Sequence, residues 1–113
     1  MKYRRFKHGY HDSFLVGFSV GPLEEITLTI DLNPGWVSGG GTVSVRFGGV
    51  QNLEAVRAFL SQLKQPQTPH AYLADIVYLT YTAKQAPNGA NRVLLVLERQ
   101  GAIHIECQHV SEH

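Results

Sequence analysis

A chain of 113 residues has the size of one domain, and 43% apolar against 17% charged residues supplies a core and excludes a disordered segment. A formal net charge of +1 excludes a strongly polyanionic or polycationic protein, and no apolar run approaches the roughly 18 residues that cross a bilayer. Cys107 is the single cysteine and has no internal disulfide partner, and the polar start from Met1 to Lys7 lacks the apolar run of a secretory signal, so a cytoplasmic protein with no membrane contact is expected.

The charge is uneven. Lys2, Arg4, Arg5 and Lys7 crowd the first eight residues, leaving six positive side chains against nine negative ones elsewhere. These cations interleave with Tyr3, Phe6, Tyr10 and Phe14, the composition by which a single-strand nucleic-acid binder holds phosphates and stacks bases. A basic edge strand that discourages sheet-to-sheet association is the simpler explanation.

Residues 13–20 (SFLVGFSV) are apolar and aromatic and stop at Gly21-Pro22, which predicts a first strand. Residues 25–31 (EITLTID) alternate, with Ile26, Leu28 and Ile30 facing a core and Thr27, Thr29 and Asp31 facing water. Asn33-Pro34-Gly35 ends that strand, residues 38–41 (SGGG) form a loop, and residues 42–47 (TVSVRF) predict a third strand with Val43, Val45 and Phe47 on one face. Gly48-Gly49 ends it. Asn52 then stands as N-cap for a helix over 53–63, where Leu53, Val56, Phe59, Leu60 and Leu63 recur at helical spacing.

Pro66 and Pro69 make the next segment a connection rather than a continuation of the helix. Residues 73–82 and 92–100 read as strands separated by a polar loop with Pro87 and Asn88-Gly89. A turn at Gln100-Gly101 leads into a last strand over 102–110, with Ile103, Ile105, Cys107 and His109 on its apolar face and His104, Glu106 and Gln108 on its polar one. The expectation is one α+β domain over 1–113: a mostly antiparallel β-sheet of about six strands in the order β-β-β-α-β-β-β, with one amphipathic helix packed on it. A small β-sandwich or open barrel with the helix as a plug is the alternative.

Few residue groups suggest chemistry. His11-Asp12 has the form of a ligand pair in metal-dependent phosphohydrolases, but there the pair lies on a helix; before a strand, Asp12 is expected to orient a turn through side-chain to backbone hydrogen bonds. His8 and His11 are too few for a metal centre in a chain with one cysteine, so no metal and no cofactor are expected. His104 and Glu106 give the His-x-Glu half of a zinc-deaminase signature whose Pro-Cys-x-x-Cys half is missing, which leaves a polar strand face. Gly39-Gly40-Gly41 lacks the Lys-Ser or Lys-Thr of a phosphate loop, and Gly48-Gly49 before a helix can hold an anion or simply turn the chain. Cys107 on an apolar face is packing rather than a nucleophile. Trp36, among glycines, is a candidate contact residue.

The strings His11-Asp12-Ser13 and Arg46-Phe47-Gly48-Gly49-Val50 resemble features of small bacterial β-rich proteins that are grouped with toxin-immunity proteins or are uncharacterised, over about the first 60 residues. That resemblance implies a non-enzymatic protein that binds one protein partner, and it carries over no catalytic residue. The leading expectation is therefore an immunity-like or accessory interaction domain, working on a protein partner or by self-association as a homodimer, through a sheet face or edge and the Trp36 loop. A small-ligand binder or hydrolase that gathers His11, Asp12, His104 and Glu106 into a cleft is the second expectation, and weak single-strand nucleic-acid binding through the basic arm is the third.

Overall fold

Strict alternation of branched apolar and polar residues makes 25–31 and 42–48 strands that are dry on one face and wet on the other. In the computed structural model, which describes residue 6 and residues 9–35, 39–63, 72–82 and 90–113, these two strands pair antiparallel with Ile26 opposite Phe47 and Ile30 opposite Val43. They are β2 (Glu25–Asp31) and β3 (Thr42–Gly48); before them comes β1 (Phe14–Gly21), and after them α1 (Leu53–Ser61), β4 (Ala74–Thr82), β5 (Asn91–Leu97), β6 (Gly101–Cys107) and β7 (His109–Glu112). Every pairing is antiparallel, in the strand order β6-β5-β4-β1-β2-β3-β7.

The described residues thus hold seven strands where the sequence predicts about six. The last predicted strand breaks at Gln108, whose N–H donates to the Gly48 carbonyl at 3.0 Å, and its far half becomes β7, paired with β3. His109 consequently leaves the apolar file and is exposed. Gly49 makes the approach feasible: its φ of +62° is left-handed, and a Cβ there would stand 2.9 Å from Gln108 Cγ.

β6 and β7 lie at opposite ends of the strand order although one residue separates them, so the sheet curls until one face is enclosed. The curl does not close into a continuously bonded barrel, because β1 and β4 pair only at Phe14–Asp75 and Leu15–Ala74. A single cluster of buried side chains fills the inside, from Leu15, Ile26, Leu28 and Val45 through Phe47 to Ile76, Leu95 and Ile105. Val56 and Leu60 of α1 are buried in the same cluster, with Leu53, Phe59 and Leu63 packed around them. The helix stops at Ser61, earlier than its apolar stripe, as Gln62 and Leu63 N–H groups tighten onto Phe59 and Leu60 carbonyls three residues back.

Asn52 occupies the N-cap position but makes no side-chain cap hydrogen bond. Its amide instead lies along β6: Nδ2 donates to the His104 carbonyl at 2.6 Å and Oδ1 accepts from the Glu106 N–H at 2.9 Å. That donor–acceptor pair does what a neighbouring strand would do. Beside it, the Gln51 N–H donates to the Glu106 carbonyl at 2.7 Å.

Tyr10, 2% exposed, crosses the interior, and its hydroxyl donates to Glu112 Oε1 on β7 at 2.5 Å. Burial first, then the hydrogen bond to Glu112 and that carboxylate's charge, push its ionisation far above the ordinary tyrosine range.

Asn52→Ala is expected to lower unfolding free energy by about 1–3 kcal/mol, read by chemical denaturation, because it leaves strand groups of β6 unpaired. Asn52→Asp or Asn52→Ser, both good helix caps, should fail to restore it, since neither supplies an amide donor and acceptor together. The folded chain keeps the Tyr10 proton after the unfolded chain has released it, so stability should fall as pH rises above about 10. Tyr10→Phe should flatten that decline while lowering stability at neutral pH by about 1–2 kcal/mol.

Candidate interaction surface

The segment entering β1 turns sharply at Asp12, whose φ is +60°. The turn is tied by Ser13 and Asn33 rather than by the Asp12 carboxylate. The Ser13 N–H donates to the Tyr10 carbonyl at 3.0 Å, the buried Ser13 hydroxyl accepts from the Asn33 N–H at 3.2 Å, and Asn33 Nδ2 donates to the Asp12 carbonyl at 3.1 Å. The Asp12 carboxylate faces His11 Nε2 at 3.2 Å, while His11 Nδ1 lies 2.8 Å from the Val77 carbonyl. Val77 is the extra residue of a bulge between Ile76 and Tyr78 and has no partner in the β4–β5 register. Both ring nitrogens of His11 therefore face oxygens.

The His11 ring stacks on Tyr78, with centroids 5.6 Å apart and planes at 21°. Tyr78 is 50% exposed and opens a row on the outer face of the sheet: Tyr78 on β4, Val96 on β5 and Ala102 on β6 are cross-strand neighbours. The next row is Thr80, Leu94 and His104, and beyond it Arg92 Nη2 meets Glu106 Oε1 at 3.8 Å. Arg92 Nε is buried without a hydrogen-bond partner among the described residues. The outer face of β1, β2 and β3 has a different character: Ser19, Thr27, Thr29 and Ser44 line it, with an ion pair between Arg46 and Glu25 at 3.3 Å. That half is polar along its middle, while at its border Phe14 of β1 stacks on the half-exposed Tyr72 with ring centroids 4.4 Å apart. The other carries Tyr78, Val96, Leu94 and Ala102 side by side.

The structure keeps the two halves of the predicted cleft apart. His11 and Asp12 sit beside β4, whereas His104 and Glu106 project from β6, and the intervening β5 puts them about 10 Å apart at ordinary strand spacing. Among the described residues, no group of three or more His, Cys, Asp or Glu is placed to hold a metal ion, and no helix is long and apolar enough to cross a membrane. The anion reading of Gly48-Gly49 loses two of its donors, because the Val50 N–H is taken by the Glu24 carbonyl and the Gln51 N–H by Glu106. Trp36 and the cations of the basic arm lie outside the described residues. Cys107 is fully buried, and burial pushes its thiol up to about 11.

Sequence reasoning missed the Tyr78–Val96–Ala102 row, though one signal for it is present. Residues 93–97 (VLLVL) are apolar without a break, and a strand with apolar side chains on both faces belongs to a sheet that is covered on both. No family model, no curated protein and no solved structure matches this chain.

The Cys107 thiol should react with a maleimide or disulfide reagent at neutral pH at least about a hundredfold more slowly in the native protein than in denaturant, since both exposure and thiolate fraction are low. Comparable rates in the two states, measured by mass spectrometry, would show that the thiol is accessible.

Proposed function

We propose that this protein is a non-enzymatic protein-interaction domain that binds through the outer face of β4, β5 and β6. One observation carries the reading: the apolar row of Tyr78, Val96 and Ala102, continued by Leu94, runs unbroken across three strands of the outer face, whereas Ser19, Thr27, Thr29 and Ser44 line the middle of β1, β2 and β3. A half-exposed tyrosine is the side chain of choice for such a surface, because it offers a large rigid contact area and a hydroxyl at its rim. The stack of His11 under Tyr78 holds that ring in place, and the His11 contacts to Val77 and Asp12 hold His11. The surface is preorganised, which lowers the entropy lost on binding. The likeness of the N-terminal strings to immunity-like proteins agrees with a partner-binding role.

Leu94→Glu should abolish the complex recovered from the lysate of the source cells and seen by native mass spectrometry, whereas Thr29→Glu on the opposite, polar face should leave it intact. Both variants should keep a cooperative thermal transition, with Thr29→Glu within about 0.5 kcal/mol of the parent, as for other surface changes. Loss of the complex through Thr29→Glu but not Leu94→Glu would sink the assignment of the face.

A further inference from the structure

We infer that β7 is an exchangeable strand, traded between two copies of this chain so that each β7 pairs with β3 of the other. The surface involved is the edge of β3, and the exchange makes no use of the outer face of β4, β5 and β6. The fit of the incoming strand is visible in the fold itself, because a second copy brings the same β7 that already occupies this edge. Val110 and Glu112 stand opposite Phe47 and Val45, both fully buried, and Ser111 stands opposite Arg46. The Glu112 carboxylate accepts from the Tyr10 hydroxyl, and the His113 N–H donates to the Ser44 carbonyl at 2.8 Å. A β7 from either chain makes all of these contacts equally well.

The tether of β7 marks it as the strand that exchanges. A single residue, Gln108, separates it from β6, and nothing in the run from Ala102 to Val110 breaks a strand pattern. Two hydrogen bonds hold the bend: the Gln108 N–H donates to the Gly48 carbonyl, and Asn91 Nδ2 donates to the Gln108 carbonyl, each at 3.0 Å. Straightening the bend gives up these two bonds and leaves the contacts of β7 with β3 as they are.

Side-chain parity says how the two copies lie. Successive side chains of a straight strand point to opposite faces, so Ile105 and Cys107 would share one face of a straightened β6–β7 and Val110 and Glu112 the other. Such a strand serves two interiors on opposite sides of it. Ile105 and Cys107, both fully buried, stay in the core of their own chain, while Val110 and Glu112 enter the core of the second copy. Within one chain, the extra residue at Gln108 is what brings both pairs to the same interior. The single chain is favoured in dilute solution, where the return of β7 to its own β3 is intramolecular. Exchange grows when chains fold together at high concentration.

Arg46→Cys and Ser111→Cys, made in separate chains carrying tags of different mass, read the exchange, because directly opposed residues of an antiparallel pair have Cα atoms roughly 4.5–5.5 Å apart, within disulfide reach. The two chains are unfolded together under reducing conditions, refolded as a mixture at high concentration and then oxidised, which leaves the native Cys107 thiol buried. The mixed disulfide is expected in about tenfold higher yield than when the same chains are refolded separately in dilute solution and then combined, since only co-folding places one chain's β7 on the other's β3. Inserting two glycines after Gln108, which preserves the parity and slackens the tether, should lower that yield. Arg46→Cys and Ser111→Cys in one chain, refolded in dilute solution, should close the same disulfide internally. An internal disulfide with no excess of mixed product on co-refolding would overturn the exchange, as would a mixed yield that the glycines leave unchanged; absence of the internal disulfide would overturn the pairing on which it rests.

Discussion

The side-chain amide of Asn52, laid along the edge of β6, is the contact on which the closure of this fold depends. β6 ends the strand order, and an edge there would leave a row of unpaired backbone groups. Asn52 takes two of them, Gln51 takes a third, and Gln108 bonds the end of β3 just where the chain bends. These four hydrogen bonds fasten the β3–α1 connection to the β6–β7 bend at one corner. With the corner fastened, the sheet curls, and Val56 and Leu60 of the helix are carried over its interior. A cap role for Asn52 would have stabilised one helix end; its actual role ties two distant parts of the chain together.

Curling divides the sheet into an inside and an outside, and the two halves of the outside have been given different chemistry. Serine and threonine keep the middle of β1, β2 and β3 solvated, and the Phe14–Tyr72 stack lies at its border. On β4 and β5, bulge and sequence act together. The bulge at Val77 returns Leu79 and Tyr81 to the inside and turns Tyr78 out, while β5 is apolar on both its faces. A sheet that needs only one dry face does not require Leu94 and Val96 outside, and the proposed binding role rests on that excess.

Much of the fold was legible because its signals are local. The alternation of residues 25–31 and 42–47 places their apolar side chains where the structure has them, and the stripe of Leu53, Val56, Phe59, Leu60 and Leu63 marks the buried side of α1. What the sequence hides is set by distant contacts. The break at Gln108 arises from Gly48 and Gly49, far away along the chain, and nothing in the run from Ala102 to Val110 announces it. The bulges at Val16 and Val77 sit in unbroken apolar stretches where no residue interrupts the pattern. Of the residues singled out beforehand, His11 and His104 lie at opposite borders of the apolar face. They were visible as polar residues, but the Tyr78 row between them, formed by three strands in register, was not.

The bond from Tyr10 to Glu112 spans 102 positions and joins one of the first described residues to the last strand. β3 likewise waits for β7. During synthesis, a chain that has emerged only as far as β6 has no acceptor for the Tyr10 hydroxyl, no partner for the outer edge of β3 and no bend at Gln108. Its apolar interior stays open on that side, and the outward apolar row of β4 and β5 is already exposed. The interval between the appearance of β5 and the arrival of β7 is therefore when a nascent chain is most prone to associate with its neighbours on a polysome. Pairing of β7 with β3 is therefore the step that satisfies the Tyr10 hydroxyl and closes the interior on that side.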